Sequence, residues 1–324
     1  MNDRKIIIGL IIFGQHTYKY LPFFLPSLNK QTWQNFKVIA FNNGASDDGN
    51  VKFLRTNYPE IEIIGEGKNL GFAAAYNRLI RRAAEVGAEY FLMTNTDMIY
   101  EPDVLEKLRQ RLESDSKLGS VSPKILKWDF KAEADRGQTD TIDTYGIALK
   151  SGLRFFNVGE GKKDDHKFSQ VEIIGPSGAS GLFRMSALEQ VKENGQYLDE
   201  RMFMYKEDCD LTYRLYMSGA KSVIVPEAVV YHDRTAAAVG VGDLAAIRAR
   251  RNKGREIKRW SMLNQQLIFK KYWRRQNFFS KLNIVFYLLK SFFYSLFFEQ
   301  YLLNDFLTIF LSQGKMEARV LKNT

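Results

Sequence analysis

The 324-residue chain has one cysteine, Cys209, and three histidines, His16, His166 and His232. A single thiol excludes an internal disulfide and a multi-cysteine zinc site, and it suits a reducing compartment. The chain has no internal repeat and no low-complexity tract. No uninterrupted apolar run reaches the ~20 residues that a membrane span needs. The opening run, Ile6-Ile7-Ile8-Gly9-Leu10-Ile11-Ile12-Phe13, is too short to span and lacks a small-residue cleavage site. It is expected to be a buried parallel strand, with no secretion signal.

What is present describes a folded chain: 45% hydrophobic and 26% charged residues. The length allows one generous core, or one domain with an appendage. The net charge of +10 is concentrated late, in Arg248, Arg250, Arg251, Lys253, Arg255, Lys258, Arg259, Lys270, Lys271, Arg274 and Arg275. Such a cluster points to an anionic partner: nucleic acid, anionic lipid or a phosphorylated substrate.

Up to about residue 100, strand-like and helix-like segments alternate. Strands are expected over 5–13, 36–42, 61–65 and 90–95, with helices around 20–30, 48–57 and 73–86. Alternation of this kind predicts a mainly parallel sheet with helices on both faces. Ligands of such sheets bind beyond the carboxyl ends of the strands. Three polar clusters fall there: Asn42-Asn43-Gly44-Ala45-Ser46-Asp47-Asp48-Gly49, Lys68-Asn69-Leu70-Gly71-Phe72 and Thr94-Asn95-Thr96-Asp97.

Residues 120–180 read as mixed sheet and loop, with charged, exposed excursions over 131–138 and 159–167. Gly175-Pro176-Ser177-Gly178-Ala179-Ser180-Gly181 could bring backbone close to a ligand, or simply turn between strands. Glu207-Asp208-Cys209-Asp210 opens a helical pattern, since Leu211 and Leu215 recur at helical spacing. Acidic residues in a first turn suit the helix dipole, so a solvated cap is one account of them. A general base at a pocket edge is the other. Strands at 221–225 and 229–232 then lead to His232. Past about residue 240 long helices are expected, first basic and then aromatic over 284–298. Two roles fit that helix pair. It could lie in a membrane interface beside the basic segment, or pack on the preceding domain or a partner subunit in a homo-oligomer.

An apolar strand ending in Asn95-Thr96-Asp97 can offer a carboxylate to a hard divalent cation. With its companions this segment resembles the metal motif of nucleotide-sugar transferases of the GT-A fold. More closely, the chain is similar to family 2 glycosyltransferases of the rhamnosyltransferase-like branch, in order over roughly residues 5–234. The 41–49 loop resembles the family's Asp-Asn-x-Ser-x-Asp-Gly. The stretch from Asn69 to Asn77 resembles Asn-x-Gly-Phe-Ala-x-Gly-x-Asn. The segment from Gly178 to Arg184 resembles an acceptor-side Gly-Ala-x-x-x-x-Arg, and the one from Glu207 to Arg214 resembles the catalytic Glu-Asp-x-Asp-Leu-x-x-Arg.

The resemblance implies a GT-A catalytic domain over 1–240 and a basic, aromatic helical extension over 241–324. It implies inverting transfer of a sugar from a nucleoside diphosphate to a glycan or lipid-linked hydroxyl. Donor-binding residues would be Asn42, Asn43, Asn69, Gly71, Phe72, Asn77 and Asn95. Mg2+ or Mn2+ would be held by Asp97 and His232. Asp208 would be the base, supported by Glu207, Asp210, Arg214, Gly178, Ala179 and Ser180. A cytoplasmic protein, or one peripheral on the cytoplasmic face of the membrane, is expected. Two departures from the family blur the donor: Asn42 stands where an aspartate is usual, and Asn95 replaces the first aspartate of Asp-x-Asp. They leave open a noncatalytic nucleotide-sugar-binding or membrane-scaffold protein of the same fold. Nucleic acid is set aside, because the basic cluster lies outside the motif-bearing core and runs into an aromatic tract.

Overall fold

The computed structural model describes residues 5–44, 49–65, 67–131, 137–234, 254–303 and 305–306. Loop residues 45–48 and the basic residues Arg248, Arg250, Arg251 and Lys253 lie outside them.

The apolar opening run forms β1 (Ile6–Ile12), buried almost throughout. Two short helices, α1 (Gly14–Tyr18) and α2 (Leu21–Asn29), lead to β2 (Phe36–Asn42). Next come α3 (Asn50–Asn57), β3 (Glu62–Ile64), α4 (Gly71–Glu85) and β4 (Tyr90–Thr94). Strands β3, β2, β1 and β4 pair in parallel, with Ile6 level with both Phe36 and Tyr90. Helix α4 covers one face of this half with Ala73, Ala75, Tyr76, Leu79, Ile80 and Ala83. The 3.6-residue spacing of these side chains is why the segment is helical.

Beyond β4 the sheet becomes mixed. Strand β5 (Met98–Tyr100) and helix α5 (Val104–Glu113) precede the long β6 (Leu118–Trp128) and β7 (Gln138–Thr144). A hairpin of β8 (Ile147–Lys150) and β9 (Arg154–Asn157) stands apart as a second, two-stranded sheet. Then follow β10 (Ser180–Arg184), α6 (Met185–Gln190), α7 (Glu207–Met217) and β11 (Lys221–His232). The sheet order is β3-β2-β1-β4-β10-β6-β11-β5, with β7 paired to β6. Strand β10 runs antiparallel to both β4 and β6. The two segments expected at 221–225 and 229–232 are one strand with a register shift between Val225 and Val229.

The C-terminal helices are α8 (Arg255–Tyr272) and α9 (Phe278–Phe298). Leu267, Ile268, Phe269 and Tyr272 of α8 and Ile284 of α9 share a core with Cys209 and Tyr213 of α7. Burial pushes the Cys209 thiol well up, so the lone cysteine serves as packing. Three members of the late basic cluster form internal ion pairs. Lys258 pairs with Glu299 at 3.1 Å, Arg259 with Asp305 at 2.8 Å, and Lys271 with Asp210 at 2.8 Å. The charged excursion at 159–167 is exposed only in part, because Lys124 and Tyr145 hold Asp164 at 2.8 and 2.6 Å.

Candidate active site

Two groups of carboxylates meet at the carboxyl end of the parallel half. After β4 the chain turns through Asn95, Thr96 and Asp97 and enters β5, which pairs antiparallel with the end of β11. His232 lies level with Met98, so its ring comes beside Asp97, with Nε2 3.2 Å from Oδ1. Strand β7, two strands away across β6, supplies Asp143, whose Oδ2 is 2.8 Å from His232 Nδ1. Arg234 reaches the other oxygen of Asp143 at 3.2 Å and Glu160 at 3.3 Å.

The imidazole is buried between the two carboxylates. Burial by itself lowers its pKa, but Asp97 and Asp143 outweigh that and raise it to about 10. Burial raises the Asp143 carboxyl, yet Arg234 and His232 overcome it and hold the group at about 2. The positive charge between Asp97 and Asp143 is thus the imidazolium itself. Asp97 offers an oxygen, whereas His232 would offer Nε2 to an ion only by giving up the proton it now holds against Asp97; Asp143 at Nδ1 fixes the ring from behind, as partners of metal-bound histidines do. The described residues contain no cluster of three His, Cys, Asp or Glu able to enclose an ion by themselves. With that proton displaced, the pair would suit a magnesium or manganese ion that takes its remaining oxygens from phosphate and water.

The second group is the start of α7. Tyr205 and Lys206 both adopt left-handed backbone, with φ of 71° and 74°, and so turn the chain into the helix. Asp208 then lies in the first turn. Its Oδ2 accepts from the Gly178 N–H at 2.9 Å and its Oδ1 from the Cys209 N–H at 2.7 Å. Gly175 permits this approach, because a Cβ there would sit 2.2 Å from Thr212 of α7. Glu207 is buried, and one of its oxygens has no hydrogen-bond partner. Burial, then the neighbouring Asp208 charge, pushes its pKa well above the usual carboxylate range. The remaining motif residues anchor the helix. Asp210 is fully buried and accepts from Arg214 Nε at 2.9 Å, Lys271 Nζ at 2.8 Å and Tyr272 OH at 2.7 Å.

Among the expected donor residues, several hold the loops together. Asn43 accepts from the Leu70 N–H at 2.7 Å and donates to Asn69, which in turn accepts from the Gly71 N–H. Gly71 has φ +78° and lies against Phe203, leaving no room for a Cβ. The Phe72 N–H donates to the Phe203 carbonyl at 2.7 Å. Asn42 ends β2 and accepts from the Gly44 N–H at 3.3 Å. Beside it opens a cavity of about 530 Å³ with Phe41, Ile64 and Leu70 on its wall and Lys68 and Arg78 among its lining residues.

Two of the expected site residues are engaged in internal contacts. Asn77 is fully buried, and its amide is spent on Tyr197, Leu198 and Glu200, so it has nothing left for a donor. Ser180 is also fully buried, its hydroxyl 2.7 Å from Tyr100 OH in a network with Thr94 rather than facing an acceptor. Asp143 and Arg234 went unnoticed in the sequence. Arg234 carried a faint signal, lying two residues beyond His232 and hence on the same side of an extended chain. Asp143 is one of two aspartates in an alternating strand, and nothing local distinguishes it from Asp140.

A family model described as glycosyl transferase family 2 matches residues 8–191, more than half of the 324 residues. The chain belongs to glycosyl transferase family 2. The match spans the loops at Asn42 and Asn69, Asp97, Asp143 and Gly178, and stops short of Asp208 and His232. The chain is 28% identical over 226 residues to the N-acetylglucosaminyl-diphospho-decaprenol L-rhamnosyltransferase of Mycobacterium tuberculosis, covering 66% of this chain and 72% of that one. It is 27% identical over 234 residues to rhamnosyltransferase WbbL of Escherichia coli K12, covering 70% and 83%. It is thus a rhamnosyltransferase-like member of the family. The crystal structure of S. aureus TarS overlays with a TM-score of 0.54 at 13% identity, covering 94% of this chain. The chain spans about half (48%) of that TarS chain. GalNAc-T7, solved with UDP, GalNAc and Mn2+, overlays at 0.54 and 11% identity over 71% of this chain and 44% of that one. Both overlays identify the GT-A fold.

Proposed function

We propose that the protein transfers a sugar, with inversion, from a nucleoside diphosphate to a hydroxyl of a lipid-linked glycan in cell-surface polysaccharide synthesis. The observation that carries this reading is a short relay of contacts. The Asn95 N–H donates to the Ala179 carbonyl at 2.9 Å, and the adjoining Gly178 N–H donates to Asp208. This relay ties the turn bearing Asp97 to the helix bearing Asp208, which supports a shared site.

Asp97 and His232 would hold the divalent ion, which neutralises charge developing on the departing diphosphate. The loops at Asn42 and Asn69 would seat the nucleoside, beside the cavity at Phe41 and Leu70. Asp208 would accept the proton of the acceptor hydroxyl as its oxygen bonds to the anomeric carbon. The carbon–oxygen bond to the diphosphate breaks on the opposite face, and the nucleoside diphosphate leaves with that electron pair. The two backbone N–H groups on Asp208 fix where its carboxylate points, and general bases of this kind contribute about 10²–10⁴-fold.

The rhamnosyltransferase relatives make a thymidine diphosphate rhamnose donor the first to test, with uridine diphosphate hexoses next. The relative from M. tuberculosis carries decaprenol in its name, which favours a polyprenyl diphosphate sugar as acceptor. The test is release of nucleoside diphosphate from a panel of donors with Mg2+ or Mn2+, followed by the anomeric configuration of the product. Metal-dependent release with an inverted product is expected. No release from any donor would instead favour a noncatalytic nucleotide-sugar-binding or scaffold protein.

A further inference from the structure

Helix α9 was expected over 284–298, too short to span. It instead runs for 21 residues because Asn277 caps it, accepting from the Ser280 N–H at 2.8 Å. Among the described residues it is the one helix long and apolar enough to cross a membrane, with a mean hydropathy of 1.2. Its inner side is fixed to the β8–β9 hairpin. The Gly152 N–H donates to Ser280 at 3.1 Å, Asn283 to Ser151 at 2.9 Å, and Arg154 stacks on Tyr287.

Among the described residues nothing covers the other side. Phe278, Phe279, Leu282, Val285, Phe286, Leu289, and onward to Phe297 are exposed, Phe286 and Phe297 by 71% each. At about 100° per residue these positions fill a single arc of about 140°. The same projection puts Lys281 on one edge of the arc and Lys290 on the other. The helix contains no acidic residue, and the exposed Arg274 and Arg275 precede it.

We propose that this face of α9 beds in the plane of an anionic membrane surface. The pattern is that of an interfacial helix: an apolar face at the depth of the acyl boundary, with lysine stems along both borders raising their charges to the headgroups. A spanning orientation fits worse, because Lys290 would sit deep in the hydrocarbon and the side bonded to the hairpin would have to be torn free. A second copy fits worse too. A two-fold interface on this face would bring the lysine borders of two identical helices together, with no carboxylate on either to meet them. The proposal goes beyond sugar transfer and stands apart from it.

The test is sedimentation of the full chain with vesicles containing neither donor nor acceptor, so that a failure of the transfer reading does not affect it. One vesicle set is phosphatidylcholine alone and the other contains phosphatidylglycerol. The wild type is expected to bind the anionic set more strongly, to lose binding as salt rises, and to be released by carbonate. The double variant Phe286→Glu, Phe293→Glu should bind at least ~10-fold more weakly while keeping its melting temperature, since both side chains are exposed. Lys281→Glu with Lys290→Glu should abolish the preference for anionic lipid. Equal binding by the phenylalanine variant, or resistance to carbonate, would overturn the proposal. A wild-type dimer that the variant converts to a monomer, without vesicle binding by either, would assign the face to a second copy. Binding that appears only after removal of residues 307–324 would assign it to the chain's own terminus.

Discussion

Glu207 and Asp208 are adjacent in the chain and opposite in circumstance. Asp208 has a backbone N–H on each oxygen, whereas Glu207 is buried with an unpartnered oxygen. The Glu207 carboxyl is therefore held neutral well above its ordinary value of 4.5. Between the unfolded and folded pKa values the folded chain binds the extra proton. The stability this confers is complete below the unfolded value and drains away as pH rises toward the folded one. Glu207→Gln keeps the shape without the titration, so it should melt higher than the wild type at neutral pH, with the gap closing near pH 4. Parallel melting curves from pH 4 to 8 would refute a neutral Glu207. Asp143 acts on His232 from behind. Asp143→Asn should weaken Mn2+ binding about 10–100-fold, as loss of an outer partner of a metal-bound histidine does. Water-proton relaxation during a Mn2+ titration with nucleoside diphosphate present reads this out. An unchanged affinity would remove Asp143 from that role.

At the scale of elements, the left-handed pair Tyr205–Lys206 is what aims α7. Such a pair is unfavourable for non-glycine residues and persists only where neighbours over-determine it. Here the neighbour is α8: Asn264 donates to the Met204 and Tyr205 carbonyls at 2.9 and 2.6 Å. Asn264→Ala should lower kcat by about 10- to 100-fold through misplacement of Asp208, with donor KM little changed. An unaltered kcat would show that the turn holds itself. The limits of sequence reading follow from the same geometry. Strand ends, the loops at Asn43 and Asn69, and the acidic first turn of α7 were legible because their signals are local: period, glycine, capping chemistry. Asn77 looked like a donor contact because it shares a stretch with Asn69 and Gly71. Its fate was decided by Tyr197 and Leu198, about 120 residues away. The partners of Asp210 include Lys271 and Tyr272, more than 60 residues on, and no spacing rule links them.

At the scale of the whole molecule, the helices after residue 254 pack into the core around α7 as well as extending the chain beyond the sheet. Five of the eleven buried residues in the core around α7 come from α8 and α9. Without them Asp210 would lose Lys271 and Tyr272, and the surroundings of Cys209 would open to water. A chain ending at residue 253 should therefore lose cooperative thermal unfolding rather than fold as a catalytic unit, which differential scanning calorimetry would record. A sharp, wild-type-like transition would contradict that. Every level converges on Asp208, positioned by α7, braced by α8, and joined through Gly178 and Ala179 to the turn that carries Asp97. The most direct test is the rate of sugar transfer by Asp208→Asn in the full chain, measured alongside its affinity for the donor. The account predicts unchanged donor binding and a transfer rate lower by about 10²–10⁴-fold. Transfer at the wild-type rate by the correctly folded variant would contradict it.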